Sequence, residues 1–133
     1  NHIREGSMLN TPPVFAVYVC MLTLRWLKAN GGPVAMEKIN KEKAALLYTA
    51  IDENPLFTGT ANKEDRSKMN VCFVMDDTAL EEPFLHFAKA NGIVGIKGHR
   101  LVGGFRASLY NALPLSSVQV LVDVMKTFAE KKG

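Results

Sequence analysis

Residues 97 to 108 run Lys97-Gly98-His99-Arg100-Leu101-Val102-Gly103-Gly104-Phe105-Arg106-Ala107-Ser108, with cationic side chains on both sides of an interval that is apolar or has no side chain. Two of the chain's five arginines fall here. Arginine offers a planar fork matched to carboxylate or phosphate, while histidine and lysine act as compact donors, so His99, Arg100 and Arg106 suit a small dianionic ligand. Glycines allow backbone to approach such a ligand closely. The plainer reading makes Arg106 a structural ion-pair partner and His99-Arg100 a solvated basic turn. Lys97 could be drawn as a Schiff-base lysine whose pKa is lowered by neighbouring cations.

A second polar pair, Asn10-Thr11, precedes Pro12-Pro13. An amide, a hydroxyl and the free N–H groups of a helix start make a phosphate cradle, though an ordinary helix cap needs the same residues. Other candidates carry less. His86 between Leu85 and Phe87 reads as a packed or half-exposed histidine, and Asp76-Asp77 as a strand-to-helix turn. Gly92, Gly95 and Gly98 lack dinucleotide-binding spacing. Cys20 and Cys72 lie far apart in apolar runs with no second thiol nearby, which predicts buried structural thiols and no metal site. Arg66, Lys68 and Asn70 receive no chemical role.

These residues must be held by something. Thr11 followed by two prolines predicts a helix start, with Asn30-Gly31-Gly32 as its end near Ala29. That helix is apolar nearly all round, from Val14 and Phe15 to Trp26 and Leu27, which predicts burial on several sides. A second helix opens at Pro33 with Met36, Ile39, Leu46, Leu47 and Ala50 as its buried stripe, and Asn54-Pro55 breaks it. A short strand is expected around Leu56-Phe57. Val71 to Met75 predicts a strand covered on both faces. Thr78 and Glu81 have capping-box spacing for a third helix carrying Leu80, Phe84, Phe87 and Ala88.

Ile93 to Ile96 and Phe105 to Leu109 are expected as strands joined by the turn 97 to 104. Period-two alternation then sends Phe105, Ala107 and Leu109 one way and Arg106, Ser108 and Tyr110 the other. Pro114 opens a last helix with Val118, Leu121, Val122, Met125 and Phe128 at helical spacing. The order predicts an α+β fold, a small, largely antiparallel sheet with helices packed on it. Residues 1–32 read as a connecting segment with a long helix, and 33–133 as the domain.

A chain of 133 residues can bury roughly two-thirds of its unfolded surface, enough for one core. Net charge is only +3 with lysines scattered, so no nucleic-acid surface is indicated. The apolar run from Pro12 to Leu24 is too short to span a bilayer. With no signal peptide in view, cytoplasm is the default expectation. Asn1-His2-Ile3-Arg4-Glu5 has no initiator Met, which fits a proteolytic or engineered fragment.

Three stretches in order, Ser7-Met8-Leu9-Asn10-Thr11-Pro12-Pro13, Arg66-Ser67-Lys68-Met69-Asn70-Val71 and Lys97 to Ser108, resemble the C-terminal third of the phosphoserine aminotransferases, class-V, fold-type I pyridoxal-phosphate enzymes. The resemblance implies the C-terminal small domain of such an enzyme, without its large cofactor-binding domain. It implies transfer of an amino group between glutamate and 3-phosphohydroxypyruvate, in serine biosynthesis, and in bacteria action on a phosphorylated four-carbon analogue in pyridoxine biosynthesis. Arg106 would take the substrate α-carboxylate, and His99 with Arg100 the substrate phosphate or the glutamate side-chain carboxylate. Asn10 and Thr11 would contact the phosphate of the partner subunit's pyridoxal 5'-phosphate in a homodimer. The family's Schiff-base lysine lies upstream, which removes Lys97 from that role and predicts an inactive fragment. The alternative is a self-sufficient α+β module binding a small phosphorylated or carboxylated metabolite.

Overall fold

Side-chain alternation builds a three-stranded antiparallel sheet from Phe57–Gly59 (β1), Asn70–Met75 (β2) and Phe105–Ser108 (β3), in the order β1-β2-β3. Phe57 pairs with Met75, Phe73 with Phe105 and Cys72 with Arg106. Val71, Phe73 and Met75 of β2 are buried together with Phe105 and Ala107 of β3, whereas Cys72 and Arg106 are exposed. The sheet is therefore covered on one face. This corrects the expected two-sided burial of β2, because its register puts Cys72 on the same open face as Arg106. Neither thiol is buried, Cys20 being exposed as well.

The computed structural model describes residues 1–132 and contains four helices, Val14–Ala29 (α1), Gly32–Asp52 (α2), Glu81–Ala90 (α3) and Leu115–Glu130 (α4). Two compact units divide the chain, Asn1–Met36 and Glu37–Gly133. The second unit holds the sheet and the core, an α+β arrangement as its sequence order implied. Phe84 of α3 is its centre, with ring centroids 5.0 Å from Phe57, 5.2 Å from Phe105 and 5.2 Å from Phe128 of α4. Edge-to-face packing of this kind adds to the burial of large apolar area. From α2, Leu47, Ala50 and Ile51 join the same cluster.

Several elements differ from their sequence expectation. No residue of α1 is buried, and Phe15 is 81% exposed, so the all-round apolar pattern is left uncovered among the described residues. Thr11 does not cap α1. The helix begins at Val14 with no side-chain cap, because Pro12 and Pro13 restrict the residue before each of them to extended backbone. Ahead of α3 the Asp77 side chain accepts from the Ala79 N–H at 2.9 Å and caps a 3-10 turn over Thr78–Leu80, while α3 itself has no side-chain cap in place of the expected Thr78 box. Residues 93–96 form no strand, Gly92 and Gly95 both having positive φ; the Ile96 carbonyl still accepts from the Arg106 N–H at 2.8 Å.

One buried cation ties the unit together. Lys43 of α2 is fully buried, and its Nζ donates to the carbonyls of Leu109 at 3.0 Å, Tyr110 at 2.9 Å and Leu113 at 3.1 Å. Three acceptors use all three ammonium protons. Burial pushes this lysine below its ordinary range, and the carbonyls offset that by favouring the charged form. One turn earlier, Asn40 donates to Asn111 Oδ1 at 2.8 Å. The chain leaving β3 is thereby fastened to α2.

Arg66 is a second fastening. Its guanidinium donates to both Asp52 oxygens at 2.8 and 2.7 Å and lies 4.5 Å from the Tyr48 ring centroid. A planar fork over an aromatic face is a use lysine cannot copy.

Two outcomes follow. Lys43→Met removes a donor from three inward carbonyls, of which only that of Tyr110 keeps another, the Leu113 N–H at 2.9 Å, and should lower stability by on the order of 3 kcal/mol in denaturant melts. Wild-type stability would remove the lysine from this role. Arg66 holds the Asp52 carboxyl below its ordinary range, so that pair's contribution is complete above the unfolded-state carboxylate pKa of about 3.9 and is lost as pH falls from there through the lowered folded-state value. The stability gap between wild type and Asp52→Asn should narrow below about pH 4; a gap independent of pH would contradict the assignment.

Candidate functional site

Two glycines set the turn that follows Ile96. The Gly98 N–H donates to the Gly104 carbonyl at 2.8 Å, and Lys97 bridges to Phe105. A Cβ on Gly98 would lie 2.0 Å from the Gly103 carbonyl oxygen. Gly104, at φ +59°, would bring a Cβ within 2.7 Å of both the Phe73 carbonyl and Val74 Cγ1. Only residues without side chains let the turn close on itself and lie down on β2. The amides of Val102 and Gly103 then donate to the His99 carbonyl at 2.8 Å.

This closure presents His99 and Arg100 outward, both exposed, and next to them Arg106 on the open face of β3. His99 Nδ1 accepts from the Leu101 N–H at 3.3 Å, which leaves Nε2 free of that contact. Phe105 and Ala107, buried on either side of Arg106, fix the face of the strand from which its side chain leaves. Among the described residues neither the Arg100 nor the Arg106 side chain has an ion-pair or hydrogen-bond partner. Lys97 does. Its Nζ binds Glu82 Oε1 at 2.7 Å, and that hydrogen bond raises its pKa, the opposite of what a nucleophilic amine needs.

His99 and Arg106 share the wall of a small cavity of about 140 Å³, closed by Gly98, Val102 and Gly103 on one side and by Thr60, Cys72 and Val74 on the other. Arg100 stands outside that wall. Its volume suits a carboxylate-sized group, on the scale of a few waters at about 30 Å³ each. A larger cleft of about 460 Å³ between residues 92–96 and α4 has no charged residue in its lining and offers an anion nothing. Among the described residues no group of three or more His, Cys, Asp or Glu could hold a metal ion, and no helix is long and apolar enough to cross a membrane.

Asn10 and Thr11 lie in the other unit, Asn1–Met36. Both are exposed, and neither side chain makes a hydrogen bond among the described residues. Their amide and hydroxyl are free to meet a phosphate. The helix N–H groups expected beside them are displaced, since α1 starts at Val14.

The pattern reading did not place Thr60 or Cys72 in this site. The signal was partial: large apolar residues at Val71, Phe73 and Met75 assign Cys72 to the opposite face, but only the pairing register sets it beside Arg106. Because Gly104 contacts β2 while Gly103 faces open space, Gly104→Ala should lower the melting temperature more than Gly103→Ala, which carries only the positive-φ penalty of about 1 kcal/mol. Equal losses would show that the turn does not depend on close approach to Phe73.

The chain matches the model of a family described as Aminotransferase class-V over residues 3–121. It is 61% identical over 132 residues to the phosphoserine aminotransferase of Porphyromonas gingivalis, covering 98% of this chain and 37% of that protein. The phosphoserine aminotransferase of Flavobacterium johnsoniae is 61% identical over 130 residues and is covered to 36% of its length. Among solved structures, the phosphoserine aminotransferase of Bacillus circulans subsp. alkalophilus superposes with a TM-score of 0.93 at 38% identity, over 99% of this chain and 37% of that one. The pyridoxal-phosphate-bound enzyme of Trichomonas vaginalis gives 0.85 at 40% identity, over 94% and 36%. The chain thus spans little more than a third of the length of the curated relatives it matches.

Proposed function

The chain belongs to the class-V aminotransferase family, and on that premise we propose that it is the C-terminal part of a phosphoserine transaminase, contributing anion recognition to an active site completed by the rest of a longer protein. The observation that carries this reading is the unpaired Arg106, held by a strand between two buried neighbours and sharing a carboxylate-sized cavity with His99. Substrate specificity of this type needs two anion sites at fixed separation. Arg106 takes the α-carboxylate common to glutamate and the phosphorylated 2-oxo acid. His99 Nε2 and Arg100 on the turn take the group that differs, a phosphate or a side-chain carboxylate.

Pyridoxal phosphate, when bound, supplies the electron sink for amino transfer. The free amide of Asn10 and hydroxyl of Thr11 fit its phosphate, and the displaced helix start leaves side chains, not helix amides, as the donors. In this reading residues 1–32 are the connecting segment, 33–133 the small domain, the longer protein is a cytoplasmic homodimer, and Asn10 and Thr11 serve the partner subunit's cofactor. The 133-residue polypeptide alone is inactive, because the family's cofactor-bearing lysine lies upstream of these residues. A serine-pathway substrate is favoured by the names of the relatives; the four-carbon analogue of the pyridoxine pathway has the same two anionic ends.

Kinetics on the longer protein test this. A charged hydrogen bond contributes about 1.5–3 kcal/mol, so Arg106→Lys should lower kcat/KM roughly ten- to a hundredfold for glutamate and for the phosphorylated acceptor alike. Arg100→Gln should weaken the phosphorylated substrate most. Wild-type kinetics in both variants would refute the assignment, and anion binding without transamination would favour the self-sufficient module.

A further inference from the structure

The open face of the sheet sets beside Arg106 two residues that the transaminase reading does not use, Thr60 and Cys72, in one row across the strands. Cys72 sits directly opposite Arg106 in the β2-β3 register. Residues so paired have Cβ atoms about 5 Å apart, so the thiol and the root of the guanidinium side chain are neighbours. Thr60 continues the row beyond β1, its N–H and hydroxyl both donating to the Cys72 carbonyl, at 3.4 and 3.3 Å. All three line the 140 Å³ cavity with His99, and Cys72 is exposed to it.

We propose that Cys72, buttressed by Thr60, is the floor of the anion subsite served by Arg106, and that its small thiol sets how deeply a ligand carboxylate sits against that guanidinium. The inference rests on the anion-site reading above and sharpens it. Val74 and Val102 fill the cavity's flanks with branched side chains. Opposite Arg106 the residue is small, and a larger one would occupy the space where a carboxylate meets the fork in plane. Cys72 is then a specificity-determining residue for carboxylate ligands, with no part in bond making.

The thiol also supplies its own test in the 133-residue chain. Iodoacetate and iodoacetamide alkylate a thiolate by the same displacement, in which an S–C bond forms, the C–I bond breaks, iodide leaves and the thiol proton goes to buffer. They differ in that iodoacetate is itself a small carboxylate. Site-resolved mass spectrometry gives the iodoacetate-to-iodoacetamide rate ratio at Cys72 and at Cys20, the exposed thiol of α1. Arg106→Gln should lower the Cys72 ratio about fourfold, the factor expected for opposite unit charges about 5 Å apart in water, and leave the Cys20 ratio unchanged. An unchanged Cys72 ratio would overturn the proposal.

In the longer protein, Cys72→Leu should raise KM for glutamate at least about tenfold and by more than Cys72→Ser does, since only the former fills the cavity. Equal KM values for wild type and Cys72→Leu would also overturn it. A positive alkylation result in a protein that does not transaminate would leave the subsite standing and remove only the enzymatic reading.

Discussion

An ammonium group with no counter-ion, buried beneath three backbone carbonyls, decides where β3 ends and α4 begins. After Leu109 the chain must leave the sheet and travel to Leu115, and three of its carbonyls point inward along that path. Inward carbonyls without donors carry the full desolvation penalty. Lys43 collects all of them from one point on α2, so the sheet's last strand, the loop and α2 share a single hydrogen-bonded node. A methionine of similar length could fill the space and satisfy none of the oxygens. The node also lies directly downstream of Arg106, whose strand it holds at the C-terminal end while the Ile96 carbonyl holds Arg106 itself.

The two well-placed arginines show how environment divides one residue type into two jobs. Arg66 spends its two terminal nitrogens on Asp52 and its plane on Tyr48, with a side chain only 14% exposed and its remaining donor, Nε, buried out of a ligand's reach. Arg106 has its Cα–Cβ bond aimed by buried neighbours on the strand in place of a salt bridge, and keeps its fork free. A cation rooted on an ordered strand but unpaired has only its side-chain freedom to lose when an anion arrives, which limits the entropy cost of binding. Pairing would have added rigidity and abolished the site.

The sequence pattern made the second unit legible wherever periodicity and burial agree. Val118, Leu121, Val122, Met125 and Phe128 are buried as their spacing required, and the alternation around Arg106 places Phe105 and Ala107 inside. It failed where a contact joins residues far apart in the chain. The helical pattern of α2 treats Lys43 as one more lysine among Lys38 and Lys41; its partners are 66 to 70 residues away. Cys72 was misread because an apolar run does not reveal that a sheet has one open face. The 93–96 segment has strand-forming residues, but the positive φ at Gly95 interrupts the ladder after a single backbone bond from Arg106. At Thr11 two prolines outweighed a good capping residue.

The site's two cationic elements differ in kind, and the difference suits the ligands proposed for them. Arg106 projects from a paired strand over a closed core, so the group it binds must come to it in one orientation. His99 and Arg100 project from a turn held by the Gly98-Gly104 bond and the His99 carbonyl, with Leu101 and Val102 standing 83% and 76% exposed. A turn with so little packed against it reorients more cheaply than a strand. In a transaminase one end of every substrate is the same α-carboxylate, while the other end alternates between a tetrahedral phosphate and a planar carboxylate. Rigid recognition belongs at the invariant end and adaptable recognition at the variable one. Exchanging them, with the carboxylate fork on the turn and the phosphate donors on β3, would leave the reacting carbon free to swing with each change of substrate.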